Sequence, residues 1–252
     1  MRLTVIGCSG SLPGPDSAAS CYLVEAPYRG RTFRLLLDLG SGALGALQRY
    51  APLESIEAVL LSHLHADHYL DLCGLWVFHK YHPGAEPARL QIYGPTGTAN
   101  RLAAAYGIET SPGMTGEFDI HTYPLAPLAI GPFTVTVTPV EHPVPAFAIR
   151  VSDGERTLVY SGDTGPCTPL EQIATGCDLF LVEAAFVDGD DNPKHLHLSG
   201  RQAGEIAQRA GAGRLVLTHI PPWHSAEKAL AEAQPYFTGD ISLASVGAAY
   251  DV

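Results

Sequence analysis

Hydrophobic positions along the 252-residue chain fall in short runs, each closed by Gly, Pro or a polar cluster. Such runs predict strands at Leu3–Ile6, Cys21–Glu25, Thr32–Leu37, Ala58–Leu61 and Leu90–Tyr93. Phe133–Val140 alternates apolar residues with Thr, which puts one face in a core and the other in solvent. Phe147–Val151 and Thr157–Tyr160 flank Asp153-Gly154, a dipeptide suited to a tight hairpin turn. Leu179–Val182, Leu215–Leu217 and Ile241–Leu243 predict further strands. Helical patterning falls in Gly42–Tyr50, Leu70–Tyr81, Thr98–Tyr106, Leu170–Ala174, Ser199–Ala210 and Ala226–Ala233. Gln202 follows Ser199 at the spacing of a capping box. Strands precede helices in both halves and include hairpins. Two mixed β-sheets flanked by helices, an α/β class, fit this better than one all-parallel sheet. No repeat, low-complexity tract or linker interrupts the pattern, so one domain over residues 1–252 is expected.

Composition excludes several classes. With 46% hydrophobic and 16% charged residues the chain is globular, not disordered. A domain of this length buries about three quarters of its unfolded surface, enough for a core without disulfides. The five cysteines are scattered, with no C-x-x-C pair, which argues against a disulfide framework or zinc ribbon and suits a reducing cytoplasm. No apolar run reaches the ~18 residues of a membrane span, and the opening segment reads as a strand, not a signal peptide. The formal net charge is −11. It disfavours broad attraction to large nucleic acids or to an anionic membrane, yet admits a small anionic substrate at a local cationic site.

The eleven histidines, against three lysines, are concentrated where chemistry is expected. Ser62-His63-Leu64-His65-Ala66-Asp67-His68 follows the apolar run Val59–Leu61. It places four metal-ligand side chains at a strand's end, imidazoles supplying neutral nitrogen and the carboxylate supplying charge. In an extended segment His63 and His65 point the same way. Asp67 and His68 diverge and can serve a second ion. His142, Asp163 and His219 each follow an apolar strand, where open sheets place their sites. Together they complete a two-metal set of five His and two Asp. Zinc is the first choice of metal, with manganese or iron also suited to N/O ligands.

The H-x-H-x-D-H motif, the single His142, Asp163 in Ser-Gly-Asp-Thr and the final His219 resemble the metallo-β-lactamase superfamily. The resemblance implies an αββα sandwich with the metals at one edge of the two sheets. His63, His65 and His142 would bind the first ion, Asp67, His68 and His219 the second, with Asp163 as the bridge. Val182-Glu183-Ala184 and His197-Leu198-Ser199 resemble the ribonuclease Z-like branch, where such a His assists phosphodiester cleavage and such a Glu orients it. Denser similarity runs through Gly7–Gly10 with Gly14–Ser17, Leu61–His68 with Leu70–Leu72, Tyr81–Pro83, Tyr93–Pro95, Ser161–Gly165, Leu196–Gly200 and Leu217–Trp223. There the chain resembles the atypical class II cyclic-nucleotide phosphodiesterases of actinobacteria. The implied activity is hydrolysis of 3′,5′-cyclic nucleotides, cyclic AMP first, by a hydroxide formed between two divalent metals. Asp67, His197 and Glu183 would form the catalytic set.

Transfer-RNA processing enzymes of this branch carry a substrate-binding arm between the third His and the bridging Asp. Only 21 positions separate His142 from Asp163, and two strands and a turn consume them. An RNase Z-like endoribonuclease or another phosphodiester hydrolase is the alternative; a hydrolase of amide, thioester or lactone bonds, which needs no His197–Glu183 pair, ranks third. A metal-binding sensor on the same fold would keep the ligands without turnover. Around the site, Asp38 and Glu141 are candidates to orient metal-bound imidazoles, or equally turn and surface carboxylates. Gly7–Ser11, with Ser9 at its centre, and Gly40–Gly42 are loops whose N–H groups suit a phosphate, or simply tight turns. Trp76 and Phe78 are expected in the core or at a dimer contact, His195 in solvent, and Trp223 along the substrate pocket. A homodimer fits the family resemblance.

Overall fold

The computed structural model describes residues 1–83 and 88–252. The first half forms β1 (Arg2–Ser9), β2 (Ala18–Ala19), β3 (Cys21–Tyr28), β4 (Arg31–Leu37), α1 (Ala43–Leu47), β5 (Ala58–Leu60), α2 (Ala66–Tyr69), α3 (Leu72–Tyr81), β6 (Leu90–Gly94), α4 (Thr98–Tyr106) and β7 (Phe118–Thr122). The second half forms β8 (Leu128–Ile130), β9 (Phe133–Pro139), β10 (Phe147–Ser152), β11 (Thr157–Tyr160), α5 (Thr168–Ala174), β12 (Leu179–Glu183), α6 (Gly200–Ala210), β13 (Arg214–Thr218), α7 (Ala226–Ala233), β14 (Asp240–Leu243) and β15 (Ala249–Asp251). One sheet runs β15-β1-β3-β4-β5-β6-β7, with β2 beside β1; the other runs β14-β13-β12-β11-β10-β9-β8. Each combines antiparallel hairpins with parallel strands joined through helices, as β4–β5–β6 and β11–β12–β13–β14 show.

The strand period divides the core. Leu35 and Leu37 point between the sheets, where they meet Val151, Leu158 and Leu181 from the facing sheet. Leu36, between them, points outward to the layer of Leu47, Leu72, Leu75 and Leu102 from the helices. On the second sheet Leu179 and Leu181 face inward, while Phe180 and Val182 pack under Ala203, Ile206 and Ala207 of α6. Both faces of each sheet are covered, which is why these runs are continuously apolar and not alternating. Each fully buried Leu or Val contributes roughly 1.5–3 kcal/mol. The layering is helix, sheet, sheet, helix, as expected. Among the described residues, no helix is long and apolar enough to cross a membrane.

The Ser199 cap forms as expected: its hydroxyl accepts the Gln202 N–H while the Gln202 side chain accepts the Ser199 N–H. One predicted boundary shifts where a side chain intervenes. The helix expected from Leu70 starts at Leu72, because Asp71 turns back and accepts the Leu44 N–H at 2.8 Å. Strands β7, β8 and β15 fall where no element is predicted. All three lie at sheet edges and are only three to five residues long, β15 beside β1.

Candidate metal centre

Functional side chains converge where the strands end. Asp38 follows β4, His63 to His68 follow β5, His142 follows β9, Asp163 follows β11, Glu183 ends β12 and His219 follows β13. The chain turns abruptly at two of these points: Asp38 and His219 adopt positive φ of 59° and 57°, a conformation that non-glycine residues hold only where the surroundings enforce it. Neighbouring loops are pressed against them. A Cβ on Gly10 would lie 2.2 Å from the His219 carbonyl oxygen, and one on Gly40 would lie 1.9 Å from that of Asp67. Glycine is therefore required at both close approaches.

Two groups of donors share Asp163. His63, His65, His142 and Asp163 bring one ligand atom each within 4.8 Å of one another, as do Asp67, His68, Asp163 and His219. In the first group His65 Nδ1 lies 3.0 Å from His63 Nε2 and 3.1 Å from His142 Nε2. Adjacent ligands on a tetrahedral ion with ~2.0–2.1 Å bonds are about 3.3 Å apart, so this spacing fits a cation. The tautomers agree. His142 Nδ1 donates to the Leu196 carbonyl at 3.0 Å. The Ser62 hydroxyl gives its proton to Asp38 and so accepts from His63 Nδ1 at 3.1 Å. Nε2 of both rings is left as a lone pair. Burial, the largest influence on each, lowers the affinity of His63, His65 and His142 for a proton, which keeps them neutral ligands.

The second group is richer in carboxylate. His68 Nε2 is 3.3 Å from Asp163 Oδ1 and 3.4 Å from Asp67 Oδ2; His219 Nε2 is 3.2 Å from Asp163 Oδ2 and 3.8 Å from Asp67 Oδ2. Burial opposes charge on both His68 and Asp163. It is outweighed: Asp163 and Asp38 raise His68, while His219, His68 and His63 pull Asp163 well below the usual carboxylate range. Asp67 is likewise held down to about 2 by His68 and His219 against its burial. The buried atoms His68 Nε2, Asp163 Oδ1 and His219 Nε2 make no hydrogen bond. Buried polar atoms left so are costly, and a divalent cation is the partner their chemistry fits.

The supporting partners come from distant segments. Asp38, fully buried, accepts the Ser62 N–H at 2.7 Å, the Ser62 hydroxyl at 2.7 Å, the Tyr160 hydroxyl at 2.8 Å and His68 Nδ1 at 2.7 Å. It fixes the His68 ring with Nε2 toward the centre, the role expected of it. His219 Nδ1 meets the Ser20 hydroxyl at 2.9 Å. Glu141 does not take that role: its side chain is exposed and lies 3.2 Å from His195 Nδ1. His195 is solvent-exposed, as expected.

His197 stands beside both groups, its ring centroid 5.6 Å from that of His142 and 5.7 Å from that of His219. His197 Nδ1 donates to Glu183 Oε1 at 2.9 Å. Glu183 is fully buried and accepts the N–H groups of Thr164, Ala185 and Leu198 as well. Burial of His197 favours the neutral ring, but the Glu183 carboxylate prevails and pushes it up to about 9. Ser9 is buried and its hydroxyl donates to the Leu12 carbonyl at 2.7 Å. Trp223, 59% exposed, lies at the loop after His219. Trp76 is buried in the helical layer and Phe78 packs at its margin, as expected.

This constellation at one edge of an αββα sandwich defines a metal-dependent hydrolase of the metallo-β-lactamase fold. The model of the β-lactamase superfamily domain matches residues 34–220, and the chain belongs to that superfamily. It is 46% identical over 246 residues to the uncharacterized protein Rv1339 of Mycobacterium tuberculosis, covering 96% of this chain and 88% of that one. It is 34% identical over 256 residues to the probable metallo-hydrolase YhfI of Bacillus subtilis, covering 98% of each. The crystal structure of YhfI superposes with a TM-score of 0.88 over 99% of this chain and 98% of that one, at 32% identity. Ribonuclease Z of Mycobacterium bovis is 33% identical over 254 residues, covering 88% of this chain and 86% of the relative. The ribonuclease Z-like branch expected from the motifs is thereby supported.

Proposed function

We propose that this chain is a phosphodiesterase for 3′,5′-cyclic nucleotides, cyclic AMP first, working with two divalent cations, zinc first. His63, His65 and His142 would hold one ion, Asp67, His68 and His219 the other, with Asp163 between them. Bound there, such ions would acidify a water and withdraw charge from the phosphoryl oxygens. The observation that carries the reading is the His197–Glu183 pair beside the donors. A cyclic 3′,5′-diester must expel the ribose 3′-oxygen, a poor leaving group until it gains a proton. With Nδ1 tied to Glu183, His197 Nε2 is the atom that delivers it, and Glu183 steadies the ring as it changes charge. Asp67, held ionised beside the Nε2 atoms of His68 and His219, would hold the second ion and orient the attacking water.

A small anionic substrate is favoured over RNA by the segment between His142 and Asp163. It is occupied by β10, β11 and the turn that joins them, and holds no arm. The identity to ribonuclease Z favours a second reading, cleavage of an RNA phosphodiester. A panel of the metal-loaded protein with cyclic AMP, cyclic GMP, bis(p-nitrophenyl) phosphate, precursor tRNA, a β-lactam and a thioester separates the two. The reading predicts turnover of cyclic nucleotides. Cleavage of precursor tRNA with cyclic AMP untouched would replace it by the second.

A further inference from the structure

We propose that the cavity beside His197 is the subsite for the nucleoside portion of the substrate, with Phe186 as its apolar wall and Asp188 and Asn192 as acceptors for an exocyclic amino group of the base. The inference rests on the phosphodiester reading above for the nature of the leaving group. The cavity holds about 460 Å³ between the β12–α6 loop and the first turn of α6, and His197 lines it. That volume lies within the roughly 300–1,000 Å³ of small-molecule sites.

The placement follows from the geometry of proton delivery. His197 Nδ1 is committed to Glu183, so the oxygen that receives the proton must come within ~2.6–3.2 Å of Nε2. In a 3′,5′-cyclic ester that oxygen is O3′, attached to the ribose that carries the base. Protonating it from His197 brings the sugar and base alongside His197. Donor rings crowd His197 on one side, and Phe186 stands beside it with a centroid 5.1 Å away and its plane at 89°. The cavity is the room that remains there.

Its lining suits a base that carries an amino group. Asp188 is positioned by Arg201 Nε at 2.9 Å and by the Ser199 hydroxyl at 3.4 Å, both held at Oδ1. The Asn192 side chain donates Nδ2 to the Val187 carbonyl at 2.8 Å, which leaves its Oδ1 to accept. Two fixed acceptors beside an aromatic ring favour adenine, guanine or cytosine over uracil, whose exocyclic groups are both carbonyls.

The test uses the metal-loaded protein hydrolysing bis(p-nitrophenyl) phosphate, with adenosine and uridine as competitors. Adenosine should inhibit competitively and more strongly than uridine. Phe186→Ala should weaken inhibition by adenosine about 5- to 100-fold, the loss of a stacking wall, with a smaller change in KM for the aryl diester. Asn192→Ala leaves the neighbourhood of His197 intact and should narrow the preference for adenosine over uridine. Unchanged adenosine inhibition in both variants would overturn the subsite, as would a rise in the aryl diester KM that matches the loss. Should inhibition follow the expected pattern while cyclic AMP resists hydrolysis, the subsite stands and the cyclic-nucleotide reading falls.

Discussion

The two donor groups share Asp163 but are built differently. His65 and His142 are only partly buried, and the first group consists mainly of neutral imidazoles at the mouth of the site. Every member of the second group is buried. Its His68 is gripped by Asp38 and its His219 by Ser20. These contacts tie together segments far apart in the chain: Asp38 also takes the Tyr160 hydroxyl from the facing sheet. Each group draws two ligands from the loop after β5 and two from strand ends of the second sheet, so the difference lies in burial and in how tightly the imidazoles are held, not in the number of segments. Support that spans both sheets fixes ligand direction but makes the second group sensitive to remote substitutions.

The largest effect should come from the residue common to both. Asp163→Asn should empty both groups and cost more activity than the ~10–100-fold typical of supporting residues; normal metal content by elemental analysis would remove Asp163 as the bridge. Next, His197→Ala should lower turnover of cyclic AMP by about 10²–10⁴-fold while leaving metal content intact. The loss on bis(p-nitrophenyl) phosphate should be much smaller, because p-nitrophenolate leaves without a proton. Equal losses on the two substrates would deny the acid role. The comparison itself is sharpened by Ser20→Ala, expected to weaken metal binding by about 10–100-fold at the second group alone. Equal loss from both groups would show that they act as one unit. The smallest effect is one of order: a slowly acting chelator should strip the partly buried first group before the second, in two resolved phases of metal release. A single phase would break the distinction.

The seven candidate ligands were legible because strand ends carry them in compact motifs, and His63 to His68 are nearly contiguous. The layering followed from the apolar runs, since both sheet faces are covered. Support for the ligands was legible only where a carboxylate marked it, as at Asp38. Ser20 lies 199 positions from His219, and Ser62 and Tyr160 are ordinary strand-end residues until the two sheets close on Asp38. The Leu196 carbonyl that orients His142 has no side-chain signal at all. Glu141 takes its other reading, a surface carboxylate: it lies in the bend after β9 and meets exposed His195. Strands β7, β8 and β15 escaped because edge strands this short owe their form to the neighbour they pair with.

The central claim, that His197 protonates a departing 3′-oxygen, meets its most direct test in the product of cyclic AMP hydrolysis by the metal-loaded protein, resolved by ³¹P NMR. Delivery of the proton to O3′ predicts 5′-AMP as the sole product. Formation of 3′-AMP, or cyclic AMP left intact by protein that carries its metals, would contradict it.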